Sequence, residues 1–166
     1  MPADYAQIIR SLRKHDVDFI IIGASAAIAQ GAPISTIDLD LGYRRTSENI
    51  ERLVAALRPF HPRLRGIEES IPFTFGANSI RKGCNFTFVT DAGDLDLLGH
   101  IAGVGDYEAM ITNAVRLRMF GYAVLVMELE DVIRSKRAAG RAKDQAVLPV
   151  LEETLKLRRS HSPEHE

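Results

Sequence analysis

The segment that most constrains the fold of this chain carries two carboxylates one residue apart inside an apolar run: Ser35-Thr36-Ile37-Asp38-Leu39-Asp40-Leu41. Side chains alternate between the two faces of a β-strand, so Asp38 and Asp40 should share one face. The apolar residues Ile37, Leu39 and Leu41 should then point together into the core. Two neighbouring carboxylates repel each other unless a cation lies between them. A divalent cation that prefers oxygen ligands, such as Mg²⁺, is the expected occupant.

A second pair of the same form, Asp94-Leu95-Asp96, follows in another apolar run. Three carboxylates from two strands form the ligand set of a two-metal phosphoryl-transfer site, in which the ions lie roughly 3.5–4 Å apart. We expect Asp38 and Asp40 to bridge the two metals. Asp96 completes the coordination of one metal and is the candidate base for the acceptor proton. Asp94 adjoins a turn and is interpreted as a bystander.

The apolar periodicity predicts a mixed α/β (α+β) fold. A helix separates the first two strands and a hairpin follows later, which favours a mixed sheet flanked by helices, with helices again at the C-terminus. Helices are predicted near residues 5–12, 24–29, 47–57, 107–113, 129–139 and 143–157, with Asp4 and Ser47 as N-caps for the first and third. Strands are predicted at 18–22, 37–41, 85–89, 94–98 and 123–127, with a short candidate at 72–75.

Length and composition favour one soluble domain. The 166 residues are expected to form a single domain over 1–159, with a polar, disordered tail over 160–166. A net charge of −1 does not indicate a general nucleic-acid or membrane-surface binder. No stretch approaches the roughly 20 apolar residues of a membrane span. The single Cys84 excludes an internal disulfide and is expected to be buried, and a cytoplasmic location is the default.

A glycine after the first strand is a candidate phosphate-binding turn. Gly23 would let backbone N–H groups approach a phosphate, and the start of the following helix would add its positive dipole. Ser25 could donate a hydroxyl there. Alone, however, a glycine after a strand often reflects only the geometry of a turn.

The order of these motifs resembles the nucleotidyltransferase (polymerase-beta-like) superfamily, in particular its small bacterial branch near the AbiEii-type toxins. The pattern is a strand, a glycine turn, a helix, Asp-x-Asp and a third Asp on a later strand. The matching segments are Ile22-Gly23-Ala24-Ser25, Thr36-Ile37-Asp38-Leu39-Asp40 and Gly93-Asp94-Leu95-Asp96-Leu97. The most specific match is the helical Ser135-Lys136 followed by Gly140-Arg141-Ala142-Lys143-Asp144. The resemblance covers roughly residues 17–155.

The resemblance implies a metal-dependent enzyme that transfers NMP from an NTP to a hydroxyl acceptor, with two Mg²⁺ ions or Mn²⁺ in their place. It implies an acceptor that is an RNA such as a tRNA 3′ end, a protein or a small molecule, and a cognate toxin–antitoxin partner. The residues implied to bind the phosphates are Gly23, Ala24, Ser25, Lys136, Arg141 and Lys143. From the residues alone, the basic side chains fit equally well a helix break held by pairing with Asp144.

Two positions depart from the family pattern. Ala24 stands where relatives have a second Gly or a Ser, and Ile34 stands where they often carry an Arg. Both positions are expected near the triphosphate, so they bear on activity and not on the fold. Tyr43 and Arg44 could flank the base. The alternatives are a fold of this type that binds a nucleotide or a partner without turnover, and a phosphohydrolase that releases inorganic phosphate.

Overall fold

The computed structural model describes residues 4–68 and 71–161. The helices are α1 (Tyr5–Lys14), α2 (Gly23–Ala29), α3 (Ser47–Leu57), α4 (Ala77–Lys82), α5 (Tyr107–Met110), α6 (Leu129–Ala139) and α7 (Ala142–His161), with a 3₁₀ turn at Arg58–Phe60. The strands are β1 (Phe19–Ile21), β2 (Asp38–Tyr43), β3 (Arg63–Leu64), β4 (Asn85–Thr90), β5 (Gly93–Leu98), β6 (His100–Ile101), β7 (Gly105–Asp106), β8 (Val115–Met119) and β9 (Tyr122–Val126).

The described residues form a mixed seven-stranded sheet in the order β3-β4-β5-β2-β1-β9-β8. The pairs β2–β5 and β1–β9 are parallel, and the other neighbours are antiparallel. The predicted mixed sheet with flanking and C-terminal helices is therefore confirmed. The predicted hairpin is β4–β5, closed by the two residues between Thr90 and Gly93. Gly93 has a φ of +123°, a conformation that favours glycine.

The core forms where apolar helix faces cover the sheet. In α1 the buried residues Ile8, Ile9 and Leu12 recur at helical spacing, and α1 packs against α3. All three residues of β1 are buried because the strand lies inside the sheet. Burying one such Ile or Leu side chain contributes about 1.5–3 kcal/mol. The remaining helices extend this packing, with α2 against α6 and α6 against α7.

Some predicted boundaries were wrong for local reasons. Ile37 is 79% exposed because β2 begins only at Asp38, so the side chain does not join the core. The N-cap of α3 is Thr46, whose hydroxyl accepts the Asn49 N–H at 3.3 Å, and Ser47 is the first helical residue. Cys84 is only half-buried. Ser160, assigned to a disordered tail, lies within α7, while residues 162–166 of that tail lie outside the described residues.

The segment between α3 and β4 was also assigned incorrectly. The predicted strand at 72–75 is irregular, whereas the edge strand is β3 and a short helix, α4, precedes β4. The strand β8 was not predicted. This strand lies at the edge of the sheet, and its exposed Arg116 and Arg118 alternate with half-buried apolar residues. The segment therefore lacks the apolar run by which the predicted strands were identified. None of the helices in the described parts of the chain is long and apolar enough to cross a membrane.

Asn49 is a fully buried polar residue that fixes the sheet to α3. Its Oδ1 accepts the Asp18 N–H at 2.7 Å, and its Nδ2 donates to the carbonyls of Asp18 at 3.0 Å and Arg44 at 2.8 Å. These backbone groups lie just before β1 and just after β2. The amide therefore gives partners to the Asp18 N–H and the Arg44 carbonyl, and adds a second donor to the Asp18 carbonyl, which also accepts the Arg44 N–H at 3.2 Å.

We expect Asn49→Ala to lower the free energy of unfolding by about 2–4 kcal/mol, because it removes the side-chain partner of the Asp18 N–H and of the Arg44 carbonyl. Urea denaturation followed by circular dichroism measures the change. The control is Glu48→Ala, an exposed position of the same helix, which should change stability by no more than about 0.5 kcal/mol. Equal losses in the two variants would contradict the role given to the Asn49 amide.

Candidate active site

Four carboxylates meet on one face of the sheet. Parallel pairing of β2 with β5 places Asp38 beside Asp94 and Asp40 beside Asp96. Cross-strand neighbours point to the same face, so the two sequence pairs form a two-by-two block. Ligand oxygens of Asp38, Asp40 and Asp96 lie within 4.8 Å of one another. The three predicted metal ligands are thus brought together.

The carboxylates in this block repel one another. Burial, followed by the charge of Asp96, raises the pKa of Asp40 to about 6, although the Ser25 N–H and Lys136 partly offset this. Burial and the charge of Asp38 likewise raise the pKa of Asp96. Asp38 Oδ1 is buried and has no hydrogen-bond partner among the described residues. A hard divalent cation would satisfy this oxygen and relieve the repulsion, so the donor set fits Mg²⁺.

The start of α2 packs directly on Asp40. Gly23 has a φ of +57°, and a Cβ at this position would lie 3.0 Å from Asp40 Oδ2. Ser25 Oγ accepts the Asp40 N–H at 3.1 Å and lies 3.3 Å from Asp40 Oδ2. The Ser25 side chain therefore connects α2 to β2, the strand that carries Asp38 and Asp40. Its contact with a phosphate stays a prediction.

A cleft of about 470 Å³ opens over the acids. Its acidic floor and the opposite wall, formed by α6 and α7, face each other across this space. The lining includes Gly23, Ala24, Ile34, Asp38, Asp40, Thr87, Asp96, His100, Lys136, Arg141, Lys143 and Asp144. Eight of the nine predicted site residues line this cleft, and Ser25 is the exception. The two departures from the family pattern, Ala24 and Ile34, also lie on its wall.

The basic wall of the cleft is organised by one buried acid, Asp144. Its Oδ1 lies 3.2 Å from Lys136 Nζ, and its Oδ2 lies 2.7 Å from Arg141 Nε. Burial raises the pKa of Asp144, but hydrogen bonds from Arg141 and Lys136 outweigh burial and lower it overall. Gly140 ends α6 with a φ of +65°, which turns the chain so that both cations meet the same carboxylate. Lys143, by contrast, is exposed at the rim.

Arg65 is a site residue that the sequence analysis missed. Its Nη1 lies 3.0 Å from Asp96 Oδ1 and 3.7 Å from Asp38 Oδ1, and its Nε lies 3.5 Å from Asp94 Oδ2. Asp94, interpreted as a bystander, therefore takes part in the charge arrangement. The alternation of Arg63, Leu64 and Arg65 was the available signal for an edge strand leading to this face.

Two further predictions about neighbouring residues have clear outcomes. Tyr43 is fully buried and donates its hydroxyl to the Cys84 carbonyl at 2.8 Å, so it does not flank a base. Arg44 pairs with Asp18 and Glu108 away from the cleft.

Tyr5 is a further neighbour of the site that was not predicted. It donates its hydroxyl to the Ile37 carbonyl, next to Asp38. Burial, followed by the charge of Asp38, raises the pKa of Tyr5.

Solved structures share this architecture. The lincosamide antibiotic adenylyltransferase LnuA, solved with lincomycin bound, has a TM-score of 0.59 at 8% identity over 93% of this chain and 99% of that chain. The antibiotic-resistance factor ANT(2'')-Ia has a TM-score of 0.54 at 15% identity, over 93% of this chain and 86% of that chain. The chain has a nucleotidyltransferase fold.

An antigenic nucleotidyltransferase-like protein from Paracoccidioides brasiliensis has the same nucleotidyltransferase fold, with a TM-score of 0.57 at 16% identity over 95% of this chain and 78% of that chain. No protein-family model matches the chain, and no curated protein sequence matches it significantly. At these identities the similarity establishes the fold, and the chemistry has to be argued from the site itself.

The raised pKa of Asp40 predicts a pH-dependent stability in metal-free buffer. A carboxyl whose folded pKa is about 6, against an ordinary 3.8, contributes stability that is present below 3.8 and lost as the pH rises through 6. Asp40→Asn removes this loss. We therefore expect the variant to gain about 1–3 kcal/mol over the wild type between pH 4 and pH 7.

Urea unfolding in EDTA at pH 4, 5, 6 and 7 measures this difference. The control is Asp16→Asn, an exposed position with a φ of 54° that asparagine tolerates well. Its stability should follow the wild-type pH profile. A constant difference between Asp40→Asn and wild type across the range would contradict the raised pKa.

Proposed function

We propose that this protein transfers a nucleotidyl group from an NTP to a hydroxyl of an acceptor and releases pyrophosphate. The observation that carries the proposal is the group of three carboxylates, Asp38, Asp40 and Asp96, within 4.8 Å of one another on the floor of the cleft. Across that cleft lie Lys136 and Arg141. Metal-binding acids opposite fixed cations are the arrangement that phosphoryl transfer from a triphosphate requires.

The acids have distinct proposed roles. Asp38 and Asp40 would hold two Mg²⁺ ions, for which Mn²⁺ could substitute, and Asp96 would complete the ligand set. When bound, the ions stabilise negative charge on the attacking and leaving oxygens. Asp96 also accepts the proton of the acceptor hydroxyl.

The triphosphate is proposed to lie between α2 and the basic wall. Gly23 and Ala24, at the start of α2, line the cleft, and their backbone N–H groups are the proposed phosphate donors. Lys136 and Arg141 would contact phosphate oxygens from the other side, with Lys143 at the rim. Asp144 keeps the first two cations in place, which lowers the entropy lost when a phosphate binds. Ala24 and Ile34 add no charged donor, so these cations carry the phosphate recognition.

The acceptor is proposed to be a small molecule with a hydroxyl group. LnuA is named as an adenylyltransferase of lincosamide antibiotics, and ANT(2'')-Ia has been solved with adenylyl-2''-tobramycin. This chain covers 99% and 92% of those chains, so it has a comparable core for an acceptor of that size. The resemblance to the AbiEii-type branch supports a different acceptor, an RNA or a protein, together with a cognate antitoxin.

Calorimetric titration of ATP, GTP, CTP and UTP into the protein, with Mg²⁺ and with EDTA, tests the proposal. We expect one or more nucleotides to bind in a Mg²⁺-dependent manner. The double variant Asp38→Asn/Asp40→Asn should lose this dependence because it lacks two metal ligands. Asp16→Asn, outside the cleft, should bind as the wild type does.

The absence of nucleotide binding in the wild type would overturn the transferase proposal. Mg²⁺-dependent binding without turnover on any acceptor would favour the binding-protein alternative instead. Incubation with the bound NTP and candidate acceptors separates nucleotidyl transfer from hydrolysis, because a transferase releases pyrophosphate and a phosphohydrolase releases inorganic phosphate.

A further inference from the structure

Arg65 reaches the acid face, the side of the sheet that carries Asp38, Asp40, Asp94 and Asp96, from the β3 end of the sheet. Lys136 and Arg141 reach the cleft from α6 and from the turn between α6 and α7. The Arg65 guanidinium lies within 3.0–3.7 Å of oxygens of Asp96, Asp94 and Asp38. Two further contacts fix its position along β4. The Arg65 N–H donates to the Thr87 carbonyl at 2.9 Å, and Nη2 donates to the Phe88 carbonyl at 2.8 Å. The side chain is therefore directed at the acids by its own backbone pairing.

We propose that Arg65 is a built-in counter-ion of this acid face, with which a divalent metal must compete, and that it thereby couples metal binding to nucleotide binding. The inference rests on the proposed function only in taking Asp38, Asp40 and Asp96 as the metal ligands. Arg65 acts through these acids and is a positioning residue.

The chemistry of arginine makes the competition unavoidable. A guanidinium stays protonated throughout the physiological range, so Arg65 cannot lose its charge when a metal approaches, as a lysine could. A metal held by Asp38 and Asp96 would share these two carboxylates with the guanidinium and repel it at short range. The side chain is only 28% exposed, so solvent screens this repulsion incompletely.

The same arrangement favours a metal that arrives with a nucleotide. A triphosphate brings negative charge into the cleft, which offsets the combined positive charge of Arg65 and the metal. Arg65 Nε is buried and has no hydrogen-bond partner in the described structure. Its contact with Asp94 Oδ2 at 3.5 Å is therefore an ion pair without a hydrogen bond. We infer that the Nε–Asp94 and Nη1–Asp96 contacts give way, while the hydrogen bond to the Phe88 carbonyl keeps the arginine nearby.

Arg63, which lies in the edge strand β3 two residues before Arg65, offers a matched control. It is paired with Val89 in β4, and its Nη1 contacts the His61 carbonyl at 3.2 Å and Asp91 Oδ1 at 3.3 Å. Its side chain is 57% exposed. Replacing Arg63 removes the same formal charge two residues away without altering a contact to Asp38, Asp94 or Asp96.

Titration of Mn²⁺ into the wild type, Arg65→Gln and Arg63→Gln, with free Mn²⁺ followed by electron paramagnetic resonance, tests the proposal. We expect Arg65→Gln to bind Mn²⁺ at least about tenfold more tightly than the wild type, and Arg63→Gln to stay within about twofold, because charge effects fall with distance and screening. A non-hydrolysable NTP analogue should tighten Mn²⁺ binding more in the wild type than in Arg65→Gln.

Unchanged or weaker Mn²⁺ binding by a folded Arg65→Gln would overturn the proposal, as would an equal gain in Arg63→Gln. Absence of Mn²⁺ binding in all three proteins would overturn it too. If the Arg65 variant contradicts this inference but the wild type still binds an NTP in a Mg²⁺-dependent manner, the proposed function is unaffected. Loss of NTP binding in the wild type contradicts that function independently.

The wild type alone provides a second measurement that needs no variant to fold. In ¹⁵N-labelled protein, saturating Mg²⁺ should shift the assigned Arg65 Nε–H resonance, because its contacts with the acids change. The Arg63 Nε–H resonance should stay in place. A stationary Arg65 resonance, while the backbone amides of Asp38 and Asp96 shift, would show that metal binds without displacing the arginine and would overturn the proposal.

Discussion

The repulsion between carboxylates on the shared face of β2 and β5 is the constraint around which the rest of this structure is arranged. Parallel, in-register pairing places Asp38 beside Asp94 and Asp40 beside Asp96. The backbone hydrogen bonds of the sheet and the buried apolar residues on the other face hold these acids together against their charge. The stability gained from the buried core thus offsets the local repulsion between the carboxylates, which is a common property of functional sites.

Three elements compensate this cost from different directions. The start of α2 brings the N–H and the hydroxyl of Ser25 to Asp40, and the positive φ at position 23, close to that carboxylate, favours glycine. The break between α6 and α7 brings Lys136 and Arg141 to Asp144 across the cleft. Arg65 supplies a cation from the far edge of the sheet. The acids are therefore surrounded by positive groups but not neutralised by them, which leaves a place for a divalent cation.

The sequence predicted the elements of the site better than their arrangement. Asp38, Asp40 and Asp96 could be recognised because each lies in an apolar run with period-two spacing, and Gly140 because a glycine commonly ends a helix. The parallel pairing of β2 with β5 could not be predicted, since it depends on contacts between strands far apart in the chain. Arg65 was missed because it directly follows β3, a strand of only two residues, and the alternation of Arg63, Leu64 and Arg65 is too short to predict a strand.

Binding of metal and nucleotide at the acid face can be observed directly by crystallising the protein with Mn²⁺ and a non-hydrolysable ATP analogue and recording the anomalous scattering of manganese. We expect anomalous peaks within coordination distance of Asp38, Asp40 and Asp96, with the triphosphate extending toward Lys136 and Arg141. Peaks confined to other acidic groups, or a nucleotide bound elsewhere with this face free of metal, would contradict the assignment of these carboxylates as the metal site.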